Sequence, residues 1–310
     1  MSFFYYAFPP FYSYVCKNIN PCKRMKRKAI SILITFVLII LPFLVMSLIG
    51  RYSPYVEGNS FQRYIIICAA ISVAIVLAVL LLFYYSPQSF EGVPIGSAFL
   101  FLLVCPLIGI FGLASAPDLS LRMLEHPERE HLRYIFLFIA AILFGVFGLL
   151  LLMSNSFKDK RLMRWLMTAV FILAFAEFSW EFRHHYLYPE AMKEWISQGK
   201  KVEDFARHYD SPTVVNIGIL GRLIQFSLII WLSIYFYKLR HINSWSPIVS
   251  VIFSLLGIIT ATMIYFIQFN FPKGLEFLML FFIPGIPFFL LYWLGVALLT
   301  KSKKSRITEH

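Results

Sequence analysis

The stretch WLMTAVFILAFAEFSWEFRHH, residues 165–185, is long and apolar enough to cross a bilayer, yet it carries Glu177, Glu181, His184 and His185 towards one end. A second such stretch, VVNIGILGRLIQFSLIIWLSIYFY over residues 214–237, carries Arg222 and Gln225. An ionised side chain in hydrocarbon costs several kcal/mol on most scales, so intramembrane charge persists where it is paired, hydrated or functional. Counted inward at about 1.5 Å per residue, Glu177 and Arg222 both lie about 12 Å beneath the same interface. Opposite signs at equal depth make a salt bridge geometrically available.

Composition agrees with a chain dissolved in lipid. Of its 310 residues, 59% are hydrophobic, 18% aromatic and only 14% charged, too little polar surface to coat a soluble globule of this size. Uncharged runs of about 20 residues, the length that spans a bilayer core as a helix, recur along the chain. They fall at 29–50, 64–86, 95–116, 134–154, 165–185, 214–237, 247–269 and 276–300. The expected fold is an all-α integral membrane protein, a bundle of about eight transmembrane helices, with a short amphipathic helical loop outside the cytoplasm.

The formal net charge of +12 would suggest nucleic acid in a soluble protein, but here it sorts by membrane side. With both termini in the cytoplasm, the inner flanks collect Lys26, Arg27 and Lys28, then Lys158 to Arg164, then Lys238 and Arg240, then Lys301 to Arg306. The acids Glu125, Glu128, Glu130, Glu190, Glu194 and Asp210 fall on the other side. Basic charge is therefore a topology signal, and a nucleic-acid partner is not expected. Residues 1–28 and 301–310 become basic cytoplasmic tails around a transmembrane domain at 29–300. Met25 opens Met-Lys-Arg-Lys-Ala, the usual start of a membrane protein, and is an alternative site of initiation. The chain has no Asn-x-Ser/Thr sequon, and the expected location is a bacterial plasma (inner) membrane. Cys16, Cys22, Cys68 and Cys105 are scattered and imply no disulfide framework.

Between the fifth and sixth spans, residues 183–213 show helical periodicity in Met192, Trp195, Ile196, Val202, Phe205 and Tyr209, with Gly199 expected to divide two short helices. Such a segment would lie in the outer interface or cap the bundle. Pro42, Pro106 and the run Pro284-Gly285-Ile286-Pro287 interrupt spans, the last most severely. A helix broken there would expose backbone carbonyls near the middle of the membrane. Comparison of spans one to four with five to eight reveals no internal repeat.

Glu177, Glu181 and His184 stand at i, i+4 and i+7, one stripe running from inside the membrane to its outer face, with His185 beside it. Carboxylate and imidazole so spaced can relay protons or provide a general base with an orienting partner. These three are the candidate catalytic residues. Arg222, Gln225 and His185 are the candidate binding residues, since a guanidinium fork holds phosphate or carboxylate in a bidentate manner. Gly218 and Gly221 share the neighbourhood of Arg222 and permit close helix approach.

Glu128 and His131 repeat the Glu-x-x-His spacing of Glu181 and His184, as in di-iron carboxylate bundles. Residues 125–131, with Pro127, read instead as a solvated loop, and no metal or other cofactor is assigned. The sequence contains no Gly-rich phosphate loop, no Gly-x-Ser-x-Gly, no His-Glu-x-x-His and no Cys-x-x-Cys.

Three functions remain open. The first is an embedded enzyme or binding protein for an anionic or lipid-linked substrate at the outer leaflet. The second is a transporter or channel for a small solute or ion. In the third, a non-catalytic subunit or assembly factor, Glu177 and Arg222 lock two helices together while Glu181 and the histidines face water. The bilayer is the one partner the residues specify.

Overall fold

A computed structural model describes residues 32–41, 58–85, 121–153 and 161–300, with isolated residues 26, 29, 30, 51, 97 and 100. The expected third span at 95–116, both basic tails, Met25, Cys16, Cys22, Cys105, Pro42 and Pro106 lie outside them. Among the described residues all regular structure is helical.

In chain order the helices are α1 (Ile32–Leu41), α2 (Phe61–Tyr85), α3 (Pro127–Met153), α4 (Arg161–Tyr186), α5 (Tyr188–Ser197), α6 (Phe205–Tyr209), α7 (Pro212–Lys238), α8 (Trp245–Ile267) and α9 (Gly285–Thr300). Short 3₁₀ turns precede α3, α6 and α9 at Leu121–Glu125, Val202–Asp204 and Glu276–Phe282. Four helices are long and apolar enough to cross a membrane, namely α3, α4 running on into α5, α7 and α8. The pair Glu276–Phe282 and Gly285–Leu298, bent by 73°, counts as a fifth if it forms one broken span. These helices support an integral membrane protein, and much of their large apolar surface, including Leu149, Leu162, Trp165 and Leu220, faces outward as lipid-facing side chains do.

Local chemistry explains the boundaries. Pro127 and Pro212 stand at first helical positions, where a missing amide proton costs nothing. Gly199 adopts φ +73° between α5 and the turn before α6, dividing the segment where a glycine was expected to divide it. At the other break, Pro284 and Pro287 bracket the start of α9, and the chain turns rather than continuing.

α7 is the central helix, with 56% of its apolar window buried against 28 to 39% for the other three candidate spans. Against α8 it packs closely at Gly257, whose Cβ position the Phe226 ring already occupies. Aromatic rings join α3, α4 and α9: Phe178 stacks on Phe288 at 4.3 Å and meets Phe144 edge-on at 5.8 Å. Phe171 lies over Gly148, only 2.8 Å from where a Cβ would stand. Such rings bury large areas in preferred geometries and hold α4 against the bundle in a defined rotation. About one turn further along α9, Tyr292 and Trp293 donate to the carbonyls of Leu38 and Ile39 on α1, at 2.6 and 3.2 Å.

A second small core lies where α4 ends and α3 begins. Met123, Tyr188, Met192 and Phe205 are buried together, with Trp195, Ile196, Val202 and Tyr209 packed around them. The periodic apolar residues of 183–213 thus fold onto the 3₁₀ turn before α3 and form a cap.

Candidate functional site

α4 presents Glu177 and Glu181 on successive turns of one face, and α7 presents Arg222 and Gln225 towards them. All four are buried, Arg222 completely. Its Nε donates to the Phe282 carbonyl at 3.0 Å, its Nη1 to Gln225 Oε1 and its Nη2 to Glu181 Oε2. The expected bridge to Glu177 is the longer contact, 3.7 Å from Arg222 Nη1 to Glu177 Oε2. Gln225 joins the two by donating its amide to the same Glu177 oxygen. Glu177 Oε1 is buried without a hydrogen-bond partner.

The expected Glu177–Arg222 bridge is present at 3.7 Å, and the correction concerns Glu181: read as facing water if the pair is architectural, it is buried and accepts directly from Arg222. At about 1.5 Å rise per residue, equal depth could not separate two carboxylates only one turn apart. The choice falls to helix rotation and to the reach of the long arginine side chain.

The broken span enters this cluster through Phe282, the last residue of the 3₁₀ turn, by its carbonyl and by its ring 5.8 Å from the guanidinium carbon. Gly218 admits that ring at 3.5 Å from its notional Cβ. Thr260 of α8 ties the same turn down, its hydroxyl donating to the Leu278 carbonyl at 3.1 Å.

The two histidines part company. His184 turns to the cap: its Nε2 lies 2.9 Å from Asp210 Oδ1, its carbonyl accepts from the Tyr209 hydroxyl at 2.8 Å, and its ring stacks on Tyr209 at 4.3 Å. Burial, then the neighbouring Asp210 carboxylate, push the Tyr209 phenol above its ordinary value. His185 stays beside the cluster, with Nε2 4.0 Å from Glu181 Oε1 and its ring stacked on Tyr134 at 5.4 Å. The stripe drawn through Glu177, Glu181 and His184 is thus divided between a membrane cluster and the cap.

Residues 125–131, read as a solvated loop, are also corrected. Pro127 opens α3, Arg129 and Glu130 are buried and hydrogen-bonded to each other, and Arg133 Nη1 lies 3.7 Å from Glu130 Oε2. His131 reaches Glu190 of the cap at 2.8 Å. The helical period carries a signal of this, because Glu130, Arg133, Tyr134 and Leu137 share the face that α3 buries. Asp210 and the Phe282 carbonyl left no such signal, being brought in by tertiary packing alone.

Among the described residues no three His, Cys, Asp or Glu side chains gather as a metal ion would need. Chemically, the cluster contains two carboxylates, one guanidinium and one amide. Each nitrogen of Arg222 makes one hydrogen bond within the protein, three of its five N–H groups in all, and the side chain is fully buried. Glu177 keeps acceptor capacity at its buried Oε1.

Searches with protein-family models, among curated proteins and among solved structures find no match to this chain.

Proposed function

We propose that the chain is an eight-span protein of a bacterial plasma membrane, with both termini in the cytoplasm, that passes a small cation or a proton-coupled solute as a transporter or channel. One observation supports the choice of ligand sign: every nitrogen of the fully buried Arg222 is engaged, by Glu181, Gln225 or the Phe282 carbonyl, while Glu177 keeps a buried oxygen without a partner. An excess of buried acceptors attracts positive charge. The break at Pro284 supports the same reading, because a discontinuous helix supplies carbonyls at membrane depth, and one of them already belongs to the cluster.

The test is reconstitution in liposomes enclosing a pH-sensitive dye, with an imposed ion gradient. Wild type should dissipate the gradient faster than protein-free vesicles, and Glu177→Gln should abolish that excess. Flux equal in wild type, variant and empty vesicles would remove the reading and leave the architectural one.

A second reading rests on the cap. An open cavity of about 580 Å³ there is lined by Trp195, Lys200, Lys201, Arg207 and His208. Lys200 Nζ sits 4.2 Å over the Trp195 ring, so one cation is already oriented across the cavity. This surface, rather than Arg222, would meet the anionic head of a lipid-linked substrate if the protein is an enzyme or binding protein of the outer leaflet. Glu177 and Glu181 would then supply the base. Saturable binding of polyprenyl phosphate, lost in the Lys200→Glu, Lys201→Glu double variant, would favour it, and no binding would dismiss it.

A further inference from the structure

We propose that the Glu177, Glu181, Arg222, Gln225 cluster binds one proton at neutral pH, held on Glu177 as a neutral carboxylic acid. The inference deepens the transport reading and shares its cluster, but a static measurement reports the proton whether or not anything crosses the membrane.

The charge balance is the starting point. Two carboxylates face one guanidinium, and the charged groups acting on Glu177 are Glu181 and Arg222. Fully ionised, the cluster would hold an uncompensated negative charge in a buried site, and such charges are removed by taking up a proton or a cation.

Geometry says which carboxylate takes the proton. Arg222 Nη2 donates directly to Glu181, whereas Glu177 stands 3.7 Å from the guanidinium and meets it through Gln225. Glu181 and Arg222 therefore form the ion pair. Gln225 donates to Glu177 Oε2, leaving Oε1, buried and without a partner, to bear the hydrogen. An unpartnered carboxylate oxygen in that position is costlier than an unpartnered hydroxyl. The proton comes from hydronium in bulk water: one of its O–H bonds breaks as the Oε1–H bond forms, and a water molecule is released.

The same geometry disfavours a metal cation. The Glu177 carboxyl rests against Gly221, where even a methyl group would overlap it. A hard cation needs about six oxygen ligands and the room to gather them. A proton needs neither.

α7 faces Glu177 with Arg222 and Gln225, and the broken span brings the Phe282 carbonyl. On α4 itself stand Glu181, His184 and His185. Arg133 of α3 and Asp210 of the cap act on His185, whose Nε2 lies 4.0 Å from Glu181 Oε1 and whose ring stacks on Tyr134 at 5.4 Å.

The experiment is infrared spectroscopy of the full chain in nanodiscs at pH 7, in the region where a protonated carboxyl absorbs apart from a carboxylate. Wild type should show a carboxylic-acid band that Glu177→Gln loses, that Glu177→Asp displaces and that Glu181→Asp leaves in place. Absence of the band from wild type, or its survival in Glu177→Gln, overturns the proposal. Because glutamine matches the neutral acid in size and charge, failure of Glu177→Gln to fold would overturn it as well. Flux in wild type without the band would keep transport and discard the proton; the band without flux would do the reverse.

Discussion

The Glu177 carboxyl lies against the bare backbone of Gly221, in the space a methyl group would fill. Close approach of α4 and α7 at this point is what brings Glu181 to Arg222 and Glu177 to Gln225. A small residue here therefore has an electrostatic consequence, beyond the packing that small residues usually serve between membrane helices.

Gly221→Ala should lower stability by about 1–3 kcal/mol, the usual cost of overpacking. Gly218→Ala, one turn away, meets only ordinary contact with Phe282 and should be neutral or gain up to about 1 kcal/mol of helix propensity. Thermal unfolding of both variants in one detergent gives the comparison. Equal effects would mean that Glu177 is not held against Gly221.

Removing Arg222 leaves buried carboxylates without their cation. Arg222→Gln should cost about 3–5 kcal/mol, the range for breaking a buried pair by deleting one partner. Exchanging charges should reveal which partner matters: Glu181→Arg with Arg222→Glu should recover more stability than Glu177→Arg with Arg222→Glu. A double-mutant cycle on each pair measures this, and a larger coupling for Glu177 would contradict the observed contact.

The cap hangs on His184, Asp210 and Tyr209, so Asp210→Asn and Tyr209→Phe should each loosen it by about 1 kcal/mol. Faster tryptic cleavage after Lys200 or Lys201, with the spans intact, would report this. The native state holds the Tyr209 proton more tightly than an unfolded chain does. That contribution is complete below a pH of about 10 and is lost as pH rises through the higher native value. Cap protection should therefore fall at alkaline pH in wild type, and that fall should be smaller in Tyr209→Phe.

For topology, Ser197→Cys at the end of α5 and Ser244→Cys before α8, both exposed, should label from opposite sides of the membrane with an impermeant maleimide. External labelling of Ser197→Cys alone fits cytoplasmic termini. Labelling of Ser244→Cys alone reverses the orientation.

Much of this was legible along the chain because its causes are local. The apolar runs at 134–154, 165–185, 214–237 and 247–269 became α3, α4, α7 and α8, since in lipid only a helix satisfies its own backbone. The breaks at Gly199 and Pro284 follow from the φ that glycine permits and the amide that proline lacks. Presence of Glu177, Glu181, Arg222 and Gln225 at similar depth also needed only the helical rise.

Partner choice did not follow from rise. Whether Arg222 meets Glu177 or Glu181 depends on how α4 is rotated, and that rotation is held by Phe171 over Gly148 and by Phe178 on Phe288, contacts between residues distant in sequence. The contact of His131 with Glu190 likewise required a cap built from residues some sixty positions later. Helix and turn chemistry act within a few residues and can be read in order, whereas the destination of a long charged side chain is settled by whichever distant surface packs against it, and for Arg222 that surface is the Glu181 face of α4.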